Sequence, residues 1–127
     1  MRKHLRRSLI SIGVIIALFL IIAASLTPSS SLLQIGLPNY AKNLPGDFKE
    51  ASQEFDMRVQ AEFKAPLYVS DLIKKLSHDG FVITLPARFA TVTRYTPACS
   101  LTWTVRWDTN SDGTVGAVHG TYLPGCL

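Results

Sequence analysis

The hydrophobic pattern of the chain is dominated by an uncharged, mainly apolar run from Ser8 to Leu26. As a helix this run would rise roughly 28 Å, close to the thickness of the hydrocarbon core of a bilayer. Its few serines can return hydrogen bonds to the helix backbone. The pattern therefore predicts a transmembrane signal-anchor, which occupies residues 1–26 together with its N-terminal flank.

The flank of this run sets the expected orientation. It contains basic residues and no acidic residue: Arg2, Lys3, Arg6 and Arg7. Because such charges stay in the cytoplasm, we expect a single pass through the inner (cytoplasmic) membrane with the C-terminal domain periplasmic or extracellular. A cleaved signal peptide is one alternative, since Ala23, Ala24 and Ser25 offer small residues at a cleavage-site spacing. A buried helix of a soluble protein is the other.

Residues 27–46 show no sustained period and are rich in Ser, Pro, Asn and Gly, which predicts a linker followed by a domain over 47–127. An apolar patch interrupts this linker: Leu32, Leu33, Ile35 and Leu37. We expect this patch either to lie on the membrane surface or to pack on the domain.

The first periodic stretch of the domain is Phe55 to Phe63, in which apolar and polar residues alternate. A period of two predicts a strand with one buried face. A helix is the alternative interpretation, because Phe48, Phe55 and Val59 can also share one helical face.

A short amphipathic helix is predicted over Asp71 to His78. Ser70 is placed as its N-cap, and Gly80 is a natural C-terminal stop. Its apolar residues recur at helical spacing and form one stripe: Val69, Leu72, Ile73 and Leu76. A helix of this length needs a sheet to pack against.

Four later segments have the composition and alternation of strands: Phe81–Leu85, Arg88–Tyr95, Ser100–Trp107 and Thr114–Leu123. In the third segment Leu101, Trp103, Val105 and Trp107 share one face, which we expect to face the helix stripe. The predicted fold is an α+β domain of order β-α-β-β-β-β, with one amphipathic helix packed on a mainly antiparallel sheet.

The net charge of +4 comes from 13 Lys plus Arg against 9 Asp plus Glu. Without the basic flank before Ser8, the chain carries 9 basic and 9 acidic residues. The basic character therefore belongs to the topogenic segment, and a nucleic-acid partner is not expected, since that would need a basic face on the folded domain.

The two cysteines, Cys99 and Cys126, both lie on the side expected to be exported. An isolated pair in an oxidising compartment predicts a disulfide. Folding the last two strands about Ser111 and Asp112 brings the two cysteines close, provided that a bulge or the Pro124–Gly125 bend adjusts the register. Their Cα atoms should then lie about 4.4–6.8 Å apart.

The segment from Asp108 to Gly113 matches the opening of a calcium-binding loop, with side-chain oxygens at Asp108, Asn110 and Asp112. The position at which such a loop needs a bidentate Glu is His119 here. Asn, Ser, Asp and Gly are also what a hairpin turn requires. We therefore expect turn chemistry, with a weak calcium site as the alternative and no other metal site.

No nucleophile–base set or cofactor motif accompanies His78 and His119, so we expect no enzyme and no cofactor. Trp103, Trp107 and Tyr122 form either a core or an aromatic binding platform, and the core is favoured by their apolar neighbours. The chain is expected to act as a membrane-anchored envelope protein whose exported domain binds another envelope protein. An exported inhibitor or immunity-type protein that blocks an enzyme is the alternative.

Overall fold

The computed structural model describes residues 32–127. The predicted anchor and its basic flank lie outside these residues. Within the described part, no helix is long and apolar enough to cross a membrane. Residues 33–127 form one compact unit, which is the subject of everything below.

This unit consists of two helices followed by a four-stranded antiparallel sheet. Helix α1 is Phe48–Glu62 and helix α2 is Val69–His78. The sheet has the order β1-β2-β3-β4, each strand pairing with the next along the chain. The strands are β1 Val82–Thr84, β2 Phe89–Tyr95, β3 Cys99–Thr109 and β4 Val115–Cys126. The predicted α+β class and antiparallel sheet are confirmed, with strand limits that differ from the predicted ones at most ends.

The predicted first strand is wrong, because Phe55 to Glu62 is the second half of helix α1. Ala51, Phe55 and Val59 are buried at a spacing of four, whereas Met57, which a strand would bury, is 60% exposed. Asp47 is the N-cap of this helix, and its side chain accepts hydrogen bonds from the backbone N–H groups of Lys49 and Glu50. Good helix formers follow this cap, so capping and propensity override an accidental alternation. The order is thus α-α-β-β-β-β.

The apolar stripe predicted for helix α2 is confirmed, whereas its predicted N-cap is wrong. Leu72 and Leu76 are fully buried, and Val69 and Ile73 pack against the same core. Ser70 lies inside the helix, and Tyr68 is the N-cap without a side-chain cap bond. The reason is tertiary: the Val69 N–H, which would otherwise be unsatisfied, donates to the Gly113 carbonyl of the β3–β4 turn at 3.1 Å.

The end of helix α2 follows its prediction closely. Gly80 has φ +86°, and its N–H donates to the Ser77 carbonyl. The Phe81 N–H donates to the Leu76 carbonyl. This is a Schellman arrangement, which glycine permits without steric cost, and both Leu76 and Phe81 are buried beside it. The helix is thereby turned directly into β1.

The core lies between the two helices and one face of the sheet. Strand β3 supplies Trp103, Val105 and Trp107 to it, all at most 4% exposed. Helix α1 lies close against β4, because Gly120 has no side chain at the contact. A Cβ added there would lie 2.9 Å from side-chain atoms of Phe55 and Val59. The closeness of this contact depends on that glycine.

Part of the predicted linker belongs to the core. Short 3₁₀ turns occupy Leu32–Gln34 and Asn39–Ala41. Leu37, Tyr40 and Ala41 are buried, and the Tyr40 ring centroid lies 5.6 Å from that of Phe63. Aromatic burial therefore draws this segment onto the domain despite its turn-rich composition. Ile35, in the same apolar patch, remains 67% exposed.

Candidate interaction surface

The sheet has one face packed on the helices and one face that no element of residues 32–127 covers, which we call the outer face. Its register is fixed by pairs such as Thr91 with Thr104 and Thr104 with Thr121. Neighbouring threonines in this row are about 4.8 Å apart across the strands, and the next row begins about 6.8 Å along them. The outer face carries hydroxyl side chains at most of its central positions: Thr84, Thr91, Thr93, Ser100, Thr102, Thr104 and Thr121.

The centre of the outer face is uncharged. Thr93 and Thr102 are hydrogen-bonded to each other through their hydroxyls at 3.1 Å. A charged residue, Arg106, lies at one end of the outer face, with its guanidinium 5.2 Å from the Phe89 ring centroid. The central threonines are half-buried by their neighbours, so methyl and hydroxyl groups together form a neutral surface.

Apolar side chains border this surface. Val82 on β1 is 68% exposed, and Leu123 on β4 is 61% exposed. At the corner where β2 ends, Tyr95 is 77% exposed. These three side chains add exposed apolar area at the border of the outer face, which a binding partner can bury.

Strand β4 has a free edge, and helix α1 closes it. The Gly120 N–H donates to Asp56 Oδ1 at 2.8 Å, and the Tyr122 N–H donates to Ser52 Oγ at 3.1 Å. Pro124, two residues further along the same edge, has no N–H to offer. The backbone donors that could recruit a foreign strand are therefore occupied or absent along this stretch.

On the other side of the sheet, β1 covers only part of β2, and a side chain covers β2 further along. The Arg88 carbonyl accepts a hydrogen bond from the Trp107 N–H, and the Thr96 N–H donates to the Cys99 carbonyl. The backbone groups of even-numbered β2 residues therefore point toward β3. Thr93 and Tyr95 consequently present their backbone to the side that β1 leaves open. Arg94 Nη1 donates to the Thr93 carbonyl at 3.2 Å, and Nη2 reaches the Ile35 carbonyl at 3.5 Å. Arg94 thus covers the β2 backbone at Thr93, beyond the end of β1.

The structure places Cys99 and Cys126 at disulfide-bonding distance, directly opposite each other on β3 and β4. Their Cα atoms are 4.0 Å apart, slightly closer than the range expected from the sequence. They form a non-hydrogen-bonded pair of the antiparallel ladder, where side chains approach most closely. The register shift between Trp107 and Thr109 is the bulge that the pairing required.

The Asp108–Gly113 segment comprises the end of β3 and the turn that leads to β4. Asp112 Oδ1 accepts from the backbone N–H and the hydroxyl of Thr114, which lowers the pKa of the Asp112 carboxyl. Asn110 Nδ2 donates to the Thr114 hydroxyl at 3.0 Å. These bonds are the turn chemistry expected from the sequence. In residues 32–127 no group of three His, Cys, Asp or Glu side chains could hold a metal, and the calcium site at Asp108, Asn110 and Asp112 stays a prediction.

A small polar site that the sequence did not reveal lies where α1 meets β4. His119 Nδ1 is 3.4 Å from Asp56 Oδ1, and Gln60 Nε2 donates to Asp56 Oδ2 at 2.9 Å. Ser52 lines the same open depression of about 310 Å³. The Ser52 hydroxyl accepts a hydrogen bond from the Tyr122 N–H, so Asp56 and Ser52 both bind backbone donors at the β4 edge. The false strand over Phe55–Phe63 concealed this site, since residues 52 and 56 are neighbours one turn apart on a helix but would lie about 13 Å apart along a strand.

The remaining candidates are dispersed or structural. His78 is exposed beside Asp79, far along the chain from His119. Trp103, Trp107 and Tyr122 are buried, as the core interpretation expected. No partner for the two indole N–H groups lies within residues 32–127. The arginines of residues 32–127 have separate surroundings: Arg58 pairs with Glu54, Arg88 is exposed in a turn, Arg94 bonds the Thr93 carbonyl, and Arg106 lies over Phe89.

One buried polar contact fixes the N-terminal segment to α2. The Tyr40 hydroxyl donates to Asp79 Oδ2 at 2.9 Å, and burial, together with this carboxylate, raises the Tyr40 pKa far above its usual value. Lys75 also lies within 3.2 Å of Asp79 and 3.1 Å of Glu62. Desolvation opposes its charge, but the two carboxylates outweigh it and raise the pKa of Lys75. This network is structural and leaves the outer face untouched.

Searches against protein-family models, curated proteins and solved structures found no match to this chain.

Proposed function

We propose that residues 33–127 form an interaction module, held on the outer side of the cytoplasmic membrane by the apolar segment 8–26, that binds another cell-envelope protein through the outer face of its sheet. The observation that supports this most is the contrast within one sheet. Its inner face is buried under both helices, whereas its outer face is left open, neutral in the centre and bordered by Val82 and Leu123.

The chemistry of the outer face favours a protein partner. Threonine methyl groups supply apolar contact, and their hydroxyls can adapt as donors or acceptors. The face has no dense positive charge of the kind that nucleic acid requires. Its open face suits a folded surface of comparable size, and helix α1 closes the β4 edge, so face contact is favoured over strand addition at that edge.

The site is best tested by photo-crosslinking in intact cells. A photoreactive amino acid at position 104 or 121 should give one discrete adduct with an envelope protein. Placed at position 57, on the exposed side of α1, it should give none. Adding Thr104→Lys to the position-121 probe should remove the adduct, and Met57→Lys should retain it. Adducts of equal yield at positions 57, 104 and 121 would refute the outer face as the docking surface.

The mass of the adduct also identifies its class. An increment equal to this chain would mean that the outer face binds a second copy, which would overturn the assignment of a different envelope protein. The membrane orientation is tested separately: a reporter fused after Leu127 should be active only outside the cytoplasm. Activity inside the cytoplasm would refute the membrane orientation.

A specific observation favours the second candidate, an exported enzyme inhibitor. The exposed hairpin turn around Ser111 is braced by Thr114 and by backbone bonds to Leu67 and Val69. A preorganised loop loses little conformational entropy when it enters a cleft, which is how inhibitory loops bind. In the same crosslinking experiment this candidate predicts an adduct from position 111 and none from position 104.

A further inference from the structure

One end of the domain differs in composition from the rest of its surface. We call it the β2–β3 end; it comprises residues 94–99, the paired residues 123–126 and the adjacent Ile35. In these residues Arg94 is the single charged side chain and there is no acidic one. Tyr95 is 77% exposed and Ile35 is 67% exposed, and Pro97 is exposed between the strands.

Arg94 holds this end together. Its Nη2 lies 3.5 Å from the Ile35 carbonyl, and its Nη1 donates to Thr93 on the strand. The exposed loop around Ile35 is therefore fixed beside the end of β2. Ile35, Arg94 and Tyr95 thus all lie at this end of the domain, with Arg94 and Tyr95 on opposite faces of the strand.

The chain leading into this end is short. The compact unit begins at Leu33, and the stretch from Leu26 to Leu33 can span at most about 25 Å. A domain of this length has a radius of gyration of about 12 Å. If residues 8–26 cross the membrane, the segment that enters the domain beside Ile35 must therefore lie within about one domain diameter of the lipid surface.

We propose that the β2–β3 end lies against the same membrane that holds segment 8–26, with Ile35, Tyr95 and Pro97 in the interfacial layer and Arg94 near the lipid phosphates. This inference rests on the membrane anchoring in the proposed function and adds a second, peripheral contact. Tyr side chains favour the membrane–water interface, and apolar side chains beside a cation favour an anionic lipid surface. The absence of acidic side chains from these residues removes repulsion from anionic headgroups.

Such a contact would fix the orientation of the domain. The β3–β4 turn lies at the opposite end of the β3 and β4 strands and carries Asp108 and Asp112. With the β2–β3 end on the lipid, this turn points away from the membrane. The outer face would then stand roughly upright, open to a partner that diffuses along the same membrane.

The test uses the full chain reconstituted in vesicles of neutral and anionic phospholipid. A fluorophore on Pro97→Cys should be quenched by a spin label carried near the lipid headgroup, whereas one on Ser111→Cys, in the opposite turn, should not. Adding Ile35→Asp and Tyr95→Asp to Pro97→Cys should abolish that quenching, and adding Met57→Asp should retain it. Thermal unfolding of each variant verifies that the fold persists.

The outcomes separate this inference from the anchoring itself. Alkaline extraction shows whether the chain remains in the vesicles. A chain that remains there with equal, water-like quenching at positions 97 and 111 refutes the peripheral contact and leaves the anchor standing. A chain released into the supernatant refutes the anchor, and with it both proposals.

Discussion

The two faces of the sheet carry opposite kinds of side chain on the same strand. In β3 the inward residues Trp103, Val105 and Trp107 are buried, while Thr102, Thr104 and Arg106 alternate with them and face outward. The inner face gains its stability from apolar area removed from water. The outer face contributes less to that core. This difference teaches that substitutions on the outer face can test binding without unfolding the domain.

The two edges of the sheet show a second contrast. The β4 edge is closed by two side chains of helix α1, Asp56 and Ser52, whereas on the β1 side Arg94 covers the Thr93 carbonyl of β2. Open edges invite pairing with other chains. Closing the β4 edge and leaving one face open directs association toward the face.

The largest loss of stability should follow a substitution in the core beneath the inner face. Phe55 is fully buried, so Phe55→Ala should lower the free energy of unfolding by about 3–5 kcal/mol. Met57→Ala is the matched control and should change it by less than about 0.5 kcal/mol. Urea denaturation measures both. Equal losses would place the two residues on one face, as in the rejected strand.

The next largest effect should come from the Cys99–Cys126 pair at the end of the β3–β4 ladder. Replacing both residues with serine should cost about 2–4 kcal/mol, because the unfolded chain regains the entropy of a loop closed over 27 positions. Alkylation and mass measurement of protein from the cell envelope should find no free thiol. Two labelled thiols would show that the pair is not joined in the native protein.

A smaller effect is expected at the β4 edge. Asp56→Ala removes the acceptor of the Gly120 N–H and should cost about 1–2 kcal/mol through an unsatisfied backbone donor. Gln53→Ala, on the same helix, is the control and should be nearly neutral. Hydrogen exchange at Gly120 should accelerate in the first variant alone. Unchanged exchange there would show that Asp56 does not protect the edge.

The sequence was most informative where local chemistry and tertiary packing agree. The Leu72–Leu76 stripe, the Gly80 stop and the alternation in Leu101–Trp107 each have one physical solution, and all appear in the structure. The position of the helix–strand boundary was also accessible, since Gly80 and Phe81 complete a local capping motif.

Prediction failed where a distant contact decided between two local patterns. Phe55–Phe63 fits both periods, and the Asp47 cap together with the close approach at Gly120 selects the helix. Ser70 is displaced as N-cap because Gly113, far along the chain, already satisfies Val69. The Asp56–His119 site depends on the first of these corrections, so it could not be found before α1 was known.

The most direct test of the open outer face uses one substitution at two adjacent residues of β3. Thr104→Lys should leave the melting temperature within a few degrees of the natural chain and abolish the partner adduct formed from position 121. Val105→Lys should unfold the domain, because it places a charge in the core. If Thr104→Lys keeps the full adduct, or if it unfolds the domain as Val105→Lys does, the outer face is not a free docking surface.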